Sequence, residues 1–414
     1  MKTATAGIGL VICLAVGVPM AQARVGGHGA TDALVSIQLL AINDFHGSIE
    51  PPAGRLLGQP AGGGEYLATH LAAMKAQNRN TIIVGAGDMV GNSPPISALF
   101  HDEPAIETLN EAGLQVSSVG NHEFGEGKDE LLRKQRGGCH PRDGCKDGDP
   151  FEGADFEYLA ANVEVRLTTA QLTAHAKALA GWKKARLAFR DARTSYRKQM
   201  RAKRLACRKD VRSAACTRTV RPPRPFTRKR PTKPTPRPVL PPTKVIAIGG
   251  VKIGFIGVTV GGTPEIAGLR FVDEVATANK YAAALKKQGV NTIVALVHQG
   301  GFQTGGLSDC TGLSGQIVDM VNRMSKDIDV VHSGHTHRYY VCTVGGKLLT
   351  SASSDGRAVA DIDLTVDSTS GKVVAKQAVN TIVTHTIAKD PEVTAIVEKY
   401  RQLAGPLAQR ASGG

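Results

Sequence analysis

Apolar runs and amphipathic stretches alternate along most of this chain. LVSIQLLAI (34–42) is almost wholly apolar and short, which predicts a strand buried on both faces. EYLATHLAAMKAQN (65–78) spaces its apolar residues three and four apart and predicts an amphipathic helix. TIIVGAG (81–87) predicts a strand, PAIETLNEAG (104–113) a helix closed by glycine, and VSSVG (116–120) a third strand. Farther on, KVIAIGG and VKIGFIGVTV (244–260) predict a hairpin that turns through Gly249-Gly250. A helix near 274–288, the strand NTIVALV (291–297), a helix near 313–325 and the strand IDVVHSG (328–334) continue the rhythm. KLLTSAS, AVADIDLTVD and VVAKQAVNTIV predict a closing run of strands, and EVTAIVEKYRQLA (392–404) a terminal helix. Strands alternating with helices predict an α/β architecture.

Two segments break the pattern. Residues 166–243 read as an insertion between two strands. Thr168–Cys207 is rich in Ala, Lys and Arg and favours helix. RPPRPFTRKRPTKPTPRPVLPP (221–242) favours an extended polyproline or disordered state over packing. At the amino end, Lys2, the apolar run of residues 7–20 and Ala21-Gln22-Ala23 form a leader with a small-x-small cleavage site. Residues 1–23 are therefore expected to be a signal peptide. No later segment approaches the roughly 18 apolar residues of a membrane span. The pattern predicts an exported protein, periplasmic or secreted.

Charge and cysteines sharpen both readings. The net charge of +15 is not spread evenly. Residues 183–244 hold 22 Lys/Arg against 2 Asp, and the remainder carries 29 bases against 34 acids. Polyanion binding through 183–244 is the functional expectation that follows, with a solvated loop as the alternative. The insertion's few aromatics, Trp182, Tyr196 and Phe226 among them, do not suggest base stacking. Cys13 lies in the leader, which leaves six cysteines. In an oxidising compartment that number predicts three disulfides, with nearest-neighbour pairing as the simplest of 15 arrangements: Cys139–Cys145, Cys207–Cys216 and Cys310–Cys342.

The chemistry-bearing residues cluster at predicted strand ends. Asp44 and His46 follow the first strand, Asp88 the second, Asn121 and His122 the third. His298 follows VALV, and His335 and His337 follow DVVHSG. Open α/β sheets place their sites beyond the carboxyl ends of their strands, so one crevice can collect all of these groups. Imidazole with carboxylate suits Zn, Mn or Fe without choosing among them.

NDFHG, GAGDMVGNSP, GNHE, VHQGG and SGHTH, in this order, resemble the calcineurin-like metallophosphoesterases. The match is to the exported 5′-nucleotidase family with its 2′,3′-cyclic phosphodiesterase relatives. SALFHDEPAIETLNEAG, YLAANV and VKIGFIGVT fit that narrower family, and the resemblance covers about residues 35–165 and 244–405. It implies a four-layer α/β/β/α sandwich holding two divalent metal ions. By motif, Asp44, His46 and His337 would hold one ion, Asn121, His298 and His335 the other, and Asp88 would bridge them. His122 would serve the substrate phosphate as general acid or charge stabiliser, and Asn121 and Asn92 would contact the phosphate. The catalytic domain would run over 24–405 with 166–243 inserted, followed by a tail at 406–414 and no nucleoside-binding C-terminal domain.

The implied function is hydrolysis of a small phosphate ester, most naturally a nucleotide. Cyclic phosphodiester hydrolysis is one alternative. The other is a metal-binding protein with weakened catalysis whose basic insert binds polyanions. One departure bears on catalysis: the family's NHEF is usually followed by an Asp paired with the His, and this chain has Gly125. Glu126 is the first candidate to replace that carboxylate, ahead of Glu123.

Overall fold

The structure is a computed structural model and describes residues 34–260 and 266–412. The expected signal peptide lies outside the described residues. In chain order the strands are β1 (Leu34–Ile42), β2 (Thr81–Ala86), β3 (Val116–Ser118), β4 (Glu157–Leu159), β5 (Val163–Val165), β6 (Thr243–Ile248) and β7 (Val251–Thr259). They continue as β8 (Leu269–Phe271), β9 (Thr292–His298), β10 (Val330–Ser333), β11 (Tyr339–Val344), β12 (Lys347–Ala352), β13 (Ala358–Asp367) and β14 (Lys372–Ile382). The helices are α1 (Gly64–Lys75), α2 (Pro95–Ala98), α3 (Glu103–Glu111), α4 (Lys128–Arg136), α5 (Thr169–Lys209), α6 (Ala214–Thr217), α7 (Glu274–Lys287), α8 (Gln316–Arg323) and α9 (Pro391–Ser412).

Two six-stranded sheets carry the molecule, in the orders β14-β13-β1-β2-β3-β4 and β11-β12-β10-β9-β7-β6. Period-two alternation explains how they stack. In β1, Leu40 and Ile42 face a core shared with α1, α3, α4 and α9, while Ile37, Leu39 and Ala41 face a second core that also holds Val294 and Leu296 of β9. The other face of β9, Ile293, Ala295 and Val297, joins a third core with α7 and α8. Three cores separate four layers, which is the expected α/β/β/α sandwich. Strands buried on both faces read as continuous apolar runs, so β1, β2 and β9 were plain in the sequence.

The central strands run parallel: β1 with β2, β2 with β3, β7 with β9, and β9 with β10. Their carboxyl ends emerge together, and the edges are finished by antiparallel strands such as β6 and β11. The hairpin through Gly249-Gly250 forms as the pattern predicts. The sequence reading passed over β11, although Gly345-Gly346 between β11 and β12 carries the same hairpin signal. It also passed over the short pieces β4, β5, β8, α2 and α4, whose three to nine residues hold little periodicity.

Two boundaries need correction. The terminal helix runs to Ser412 rather than ending at 404, so residues after 405 continue α9 instead of forming a separate tail. The insertion ends sooner than 243. Val165 N–H donates to Arg237 O, Val239 N–H to Val163 O and Ala160 N–H to Pro241 O, and Leu240 is buried in the first core. The chain thus rejoins the sandwich at about Arg237. Within the insertion, α5 is a 41-residue helix with a Thr168/Gln171 capping box and no buried residue. The Pro-rich segment is extended as expected, yet it packs: Phe226 lies 6.1 Å from the Trp182 ring and 5.9 Å from the Phe189 ring, and Trp182 Nε1–H donates to Arg228 O at 3.0 Å. These rings hold the two arms together where proline alone would not.

All three predicted disulfides form: Cys139–Cys145, Cys207–Cys216 and Cys310–Cys342. Among the described residues no helix is long and apolar enough to cross a membrane.

Candidate metal centre

The loops leaving β1, β2, β3, β9 and β10 bring all seven expected ligand residues together. Asp44, His46 and His337 offer ligand atoms within 4.8 Å of one another, and so do Asp88, His298 and His335. In the first group His46 Nε2 and His337 Nε2 are 3.1 Å apart, and His337 Nε2 lies 3.4 Å from Asp44 Oδ1. In the second, His298 Nε2 lies 3.0 Å from Asp88 Oδ2 and 3.1 Å from Asn121 Oδ1, and His335 Nδ1 lies 3.0 Å from the same amide oxygen. Asp88 Oδ2 also stands 3.8 Å from His46 Nε2, so this carboxylate faces both groups.

Hydrogen bonds fix which ring nitrogens look inward. His46 Nδ1 is 2.8 Å from Gly91 O, and His298 Nδ1 is 2.8 Å from Ala86 O. A carbonyl can only accept, so each Nδ1 carries the proton and each Nε2 turns its lone pair into the site. Lone pairs then face carboxylate and amide oxygens, an arrangement that asks for positive charge between them. The donor separations of 3.0–3.8 Å suit ligands held about 2.0–2.2 Å from an ion. The residues therefore fit a pair of divalent metals.

Electrostatics in the protein alone express the same demand. Burial works to lower the His298 pKa, but the Asp88 charge and hydrogen bond, with Asp44 behind them, push it up to about 9. Burial would raise Asp88, yet the His298 charge and hydrogen bond outweigh it and hold its carboxyl at about 2. Asp44, fully buried, is raised chiefly by burial.

Five of the seven residues, Asp44, His46, Asp88, His335 and His337, have φ between 49° and 73°, the left-handed region that side chains of this kind rarely occupy. Strain of this sort is kept where the surroundings over-determine it, and it collects at functional sites. The surroundings are legible. Asn43 Nδ2 donates to Asp44 Oδ2, and the His335 N–H donates to both Asp44 oxygens at 3.0 and 2.9 Å. Glu123 accepts from the N–H groups of Asp88, Met89 and Gly120 at 2.6–2.9 Å and buckles two loops together. The backbone approach is equally close: a Cβ on Gly120 would lie 2.1 Å from Asp88 Oδ1, and one on Gly87 (φ +81°) 2.6 Å from Gly120 N. Sequence reasoning assigned no role to Asn43 and weighed Glu123 only as a second candidate for the missing carboxylate beside His122. Their signal was their place inside the NDFHG and GNHE motifs.

His122 opens the 3₁₀ turn His122–Phe124, its N–H donating to Asp88 Oδ1 at 2.9 Å, and its ring stands edge-on to His46 at 5.2 Å. Its pKa is pushed down, first by burial and then by the charges of His46, His298 and His337, against the pull of Asp88. Among the described residues no carboxylate hydrogen-bonds this ring. Glu126 does not take the part: its Oε2 lies 3.0 Å from His101 Nδ1. Glu123 is committed to backbone N–H groups. A cavity of about 140 Å³ lies where a longer residue 125 would project, lined by Asn92, Asp102, His122, Gly125, Glu126 and Lys134 among others. Asp102 Oδ1 is buried there without a partner, while Oδ2 accepts from Lys134 and from Gly91 N–H. Asn92 (φ 53°) borders the same cavity as His122.

No family model matches the chain. It is 29% identical over 392 residues to Endonuclease YhcR of Bacillus subtilis, a match that covers 92% of this chain and 26% of that protein. It is 23% identical over 312 residues to the snake venom 5′-nucleotidase of Gloydius brevicauda, covering 73% of this chain and 37% of that one. In fold it superposes on the calcineurin-like phosphoesterase YfkN from Bacillus subtilis with a TM-score of 0.58 at 18% identity, covering 91% and 99% of the two chains. In sequence the chain is thus similar to an endonuclease and to a 5′-nucleotidase, and in fold to a calcineurin-like phosphoesterase. It spans well under half the length of the two curated relatives named here.

Proposed function

We propose that the protein is an exported, metal-dependent phosphohydrolase that cleaves phosphate esters of nucleotides. The observation that carries this reading is the locked inward orientation of the His46 and His298 lone pairs around a shared Asp88. Asp44, His46 and His337 would hold one divalent ion, Asn121, His298 and His335 a second, and Asp88 would bridge them. Two such ions would supply acidification of a water and neutralisation of phosphate charge, the chemistry that in-line attack at phosphorus needs. His337 and His335 are exposed while Asp44, Asp88 and His298 are buried, so the pair opens to solvent on one side. His122 borders that opening and would donate a proton or hydrogen bond to the leaving oxygen. Asn121 and Asn92 would fix the phosphate. The names of the relatives support a nucleotide or nucleic-acid substrate. The disulfides support a periplasmic or secreted location.

The insertion supports a second binding role. Lys183, Arg186, Arg190, Arg193 and Arg230 line a groove of about 930 Å³ together with Trp182, Phe189 and Phe226. Cations beside aromatic faces suit a polyanion, and single-stranded nucleic acid uses both. This reading replaces the expectation that base stacking is not the segment's design, because folding brings Phe226 to Trp182 and Phe189, 44 and 37 residues away in sequence.

Turnover of AMP, a 2′,3′-cyclic nucleotide, p-nitrophenyl phosphate and bis-p-nitrophenyl phosphate with added Zn, Mn or Fe tests the proposal. AMP turnover that vanishes with chelator is expected. Turnover of the cyclic ester alone would favour the phosphodiesterase reading, and metal binding without turnover of any ester would favour the weakened protein.

A further inference from the structure

Beside the proposed metal pair, one aromatic side chain stands out in the solvent. Phe302 is 49% exposed, whereas among the described residues every other Phe, Tyr and Trp is buried or half-buried. It lies four residues after His298, in the loop between β9 and α8. That loop rests on the turn that carries His335 and His337. Thr336 Oγ1–H donates to Gly301 O at 2.9 Å, and a Cβ on Gly300 would lie 2.3 Å from Gly334 O. The guanidinium of Arg338, next in sequence to His337, stands 5.6 Å from the centre of the Phe302 ring, and Arg338 is exposed as well.

We infer that Phe302 is the stacking face for the base of a nucleotide whose phosphate sits at the metal pair; the inference rests on the nucleotide reading above. The loop is built to hold the ring in place. Phe302 and Ser314 exchange both backbone hydrogen bonds at 2.9 Å, and Gln303 Nε2–H donates to Tyr339 O at 3.0 Å. Leu307 packs on the second core, and Cys310–Cys342 ties the loop to β11. An apolar ring left in water is stabilised by being covered, and a loop tethered at these points cannot turn it inward. A planar ligand covers it instead. Every nucleobase has a π face, and stacking on an aromatic side chain accepts any of them. Arg338 adds a cation against the ring, and its charge suits a ligand that also carries phosphate. Because the backbone is already fixed, little ordering is lost when the base arrives. A protein partner is the competing occupant, but it calls for a contiguous apolar patch. Phe302 has no such company in its own loop, since the nearest exposed large apolar residues in sequence are Val245 and Val374.

The test compares AMP with ribose 5-phosphate, the same sugar ester without its base, on the full-length protein loaded with the metal that supports turnover. Wild type is expected to favour AMP in kcat/KM by roughly tenfold or more. The preference is expected to lie in KM, because stacking binds ground state and transition state alike. In Phe302→Ala the two esters are expected to come within about twofold of each other, while Phe302→Tyr, which keeps a stacking ring, retains the preference for AMP. The ratio of the two esters within one preparation cancels any loss of folded or metal-loaded enzyme. A Phe302→Ala variant that still favours AMP, or a wild type that uses both esters equally, overturns the stacking face and leaves the phosphohydrolase reading standing. A wild type that turns over neither ester removes the nucleotide reading, and this inference with it.

Discussion

Gly125 stands where the resemblance drawn from the sequence leads one to expect an aspartate, and its surroundings say what that difference costs. Its φ of −54° is ordinary, and a Cβ there would meet only His122 O, at 3.2 Å. An aspartate fits, with Lys134 across the cavity as a counter-charge. A carboxylate that orients His122 and favours its protonated form assists a leaving group that needs a proton. Gly125→Asp is therefore expected to raise kcat on AMP by roughly tenfold or more and to leave p-nitrophenyl phosphate nearly unchanged. Steady-state kinetics on the two substrates check this, and equal effects on both would remove His122 from the proton-transfer role. His332 offers a residue-scale test of stability. It is fully buried, Nε2–H donates to Ile42 O, Nδ1 accepts from Thr350 Oγ1, and burial pushes its pKa down to about 4. The unfolded chain takes up this proton first as pH falls. The contribution is thus complete above the ordinary value of 6.5 and disappears as pH drops to about 4, on the order of 3 kcal/mol. Urea unfolding of chelator-treated protein at pH 7 and pH 4 should show a steeper loss for wild type than for His332→Gln. Equal losses would mean that this histidine is not held neutral.

At the scale of elements, the proposed centre is a product of parallel strands that end together, and that much was readable. Each ligand residue followed an apolar run, and two-sided burial made those runs conspicuous. The supporting shell was not readable, because Asn43 and Glu123 act on backbone groups that only the folded turns bring near. The insertion was read correctly as a basic helix with a Pro-rich return. Its packing was not, since the contacts of Trp182 and Phe189 with Phe226 join positions 44 and 37 residues apart. Where the chain rejoins the sandwich decides how the element can be removed. Replacing 169–236 by a short linker spares Val239 and Leu240, and is expected to leave metal content and AMP turnover near those of the intact protein. Binding to a heparin column or single-stranded DNA, weakening with salt in the intact protein, is expected to vanish. A deletion variant that retains this binding would locate it elsewhere. Among the disulfides, Cys310–Cys342 closes the longest loop, 32 residues in separation, and joins the segment after β9 to β11. Its removal as the double serine variant should cost roughly 3–4 kcal/mol in chemical denaturation, more than removal of Cys207–Cys216 in the unburied insertion.

For the whole molecule, the sandwich brings two sheets face to face so that loops from both contribute to one crevice. β1, β2 and β3 supply Asp44, His46, Asp88 and Asn121, and β9 and β10 supply His298, His335 and His337. Neither sheet holds a complete ligand set, so the proposed centre also ties the sheets together. Its most direct test is the metal content of wild type and Asp88→Ala, measured side by side on folded, zinc-loaded protein with AMP turnover in the same samples. The account predicts that Asp88→Ala binds about two fewer ions per chain than wild type and loses most of its turnover, because the carboxylate facing both groups is gone. Unchanged metal content with unchanged turnover would contradict it.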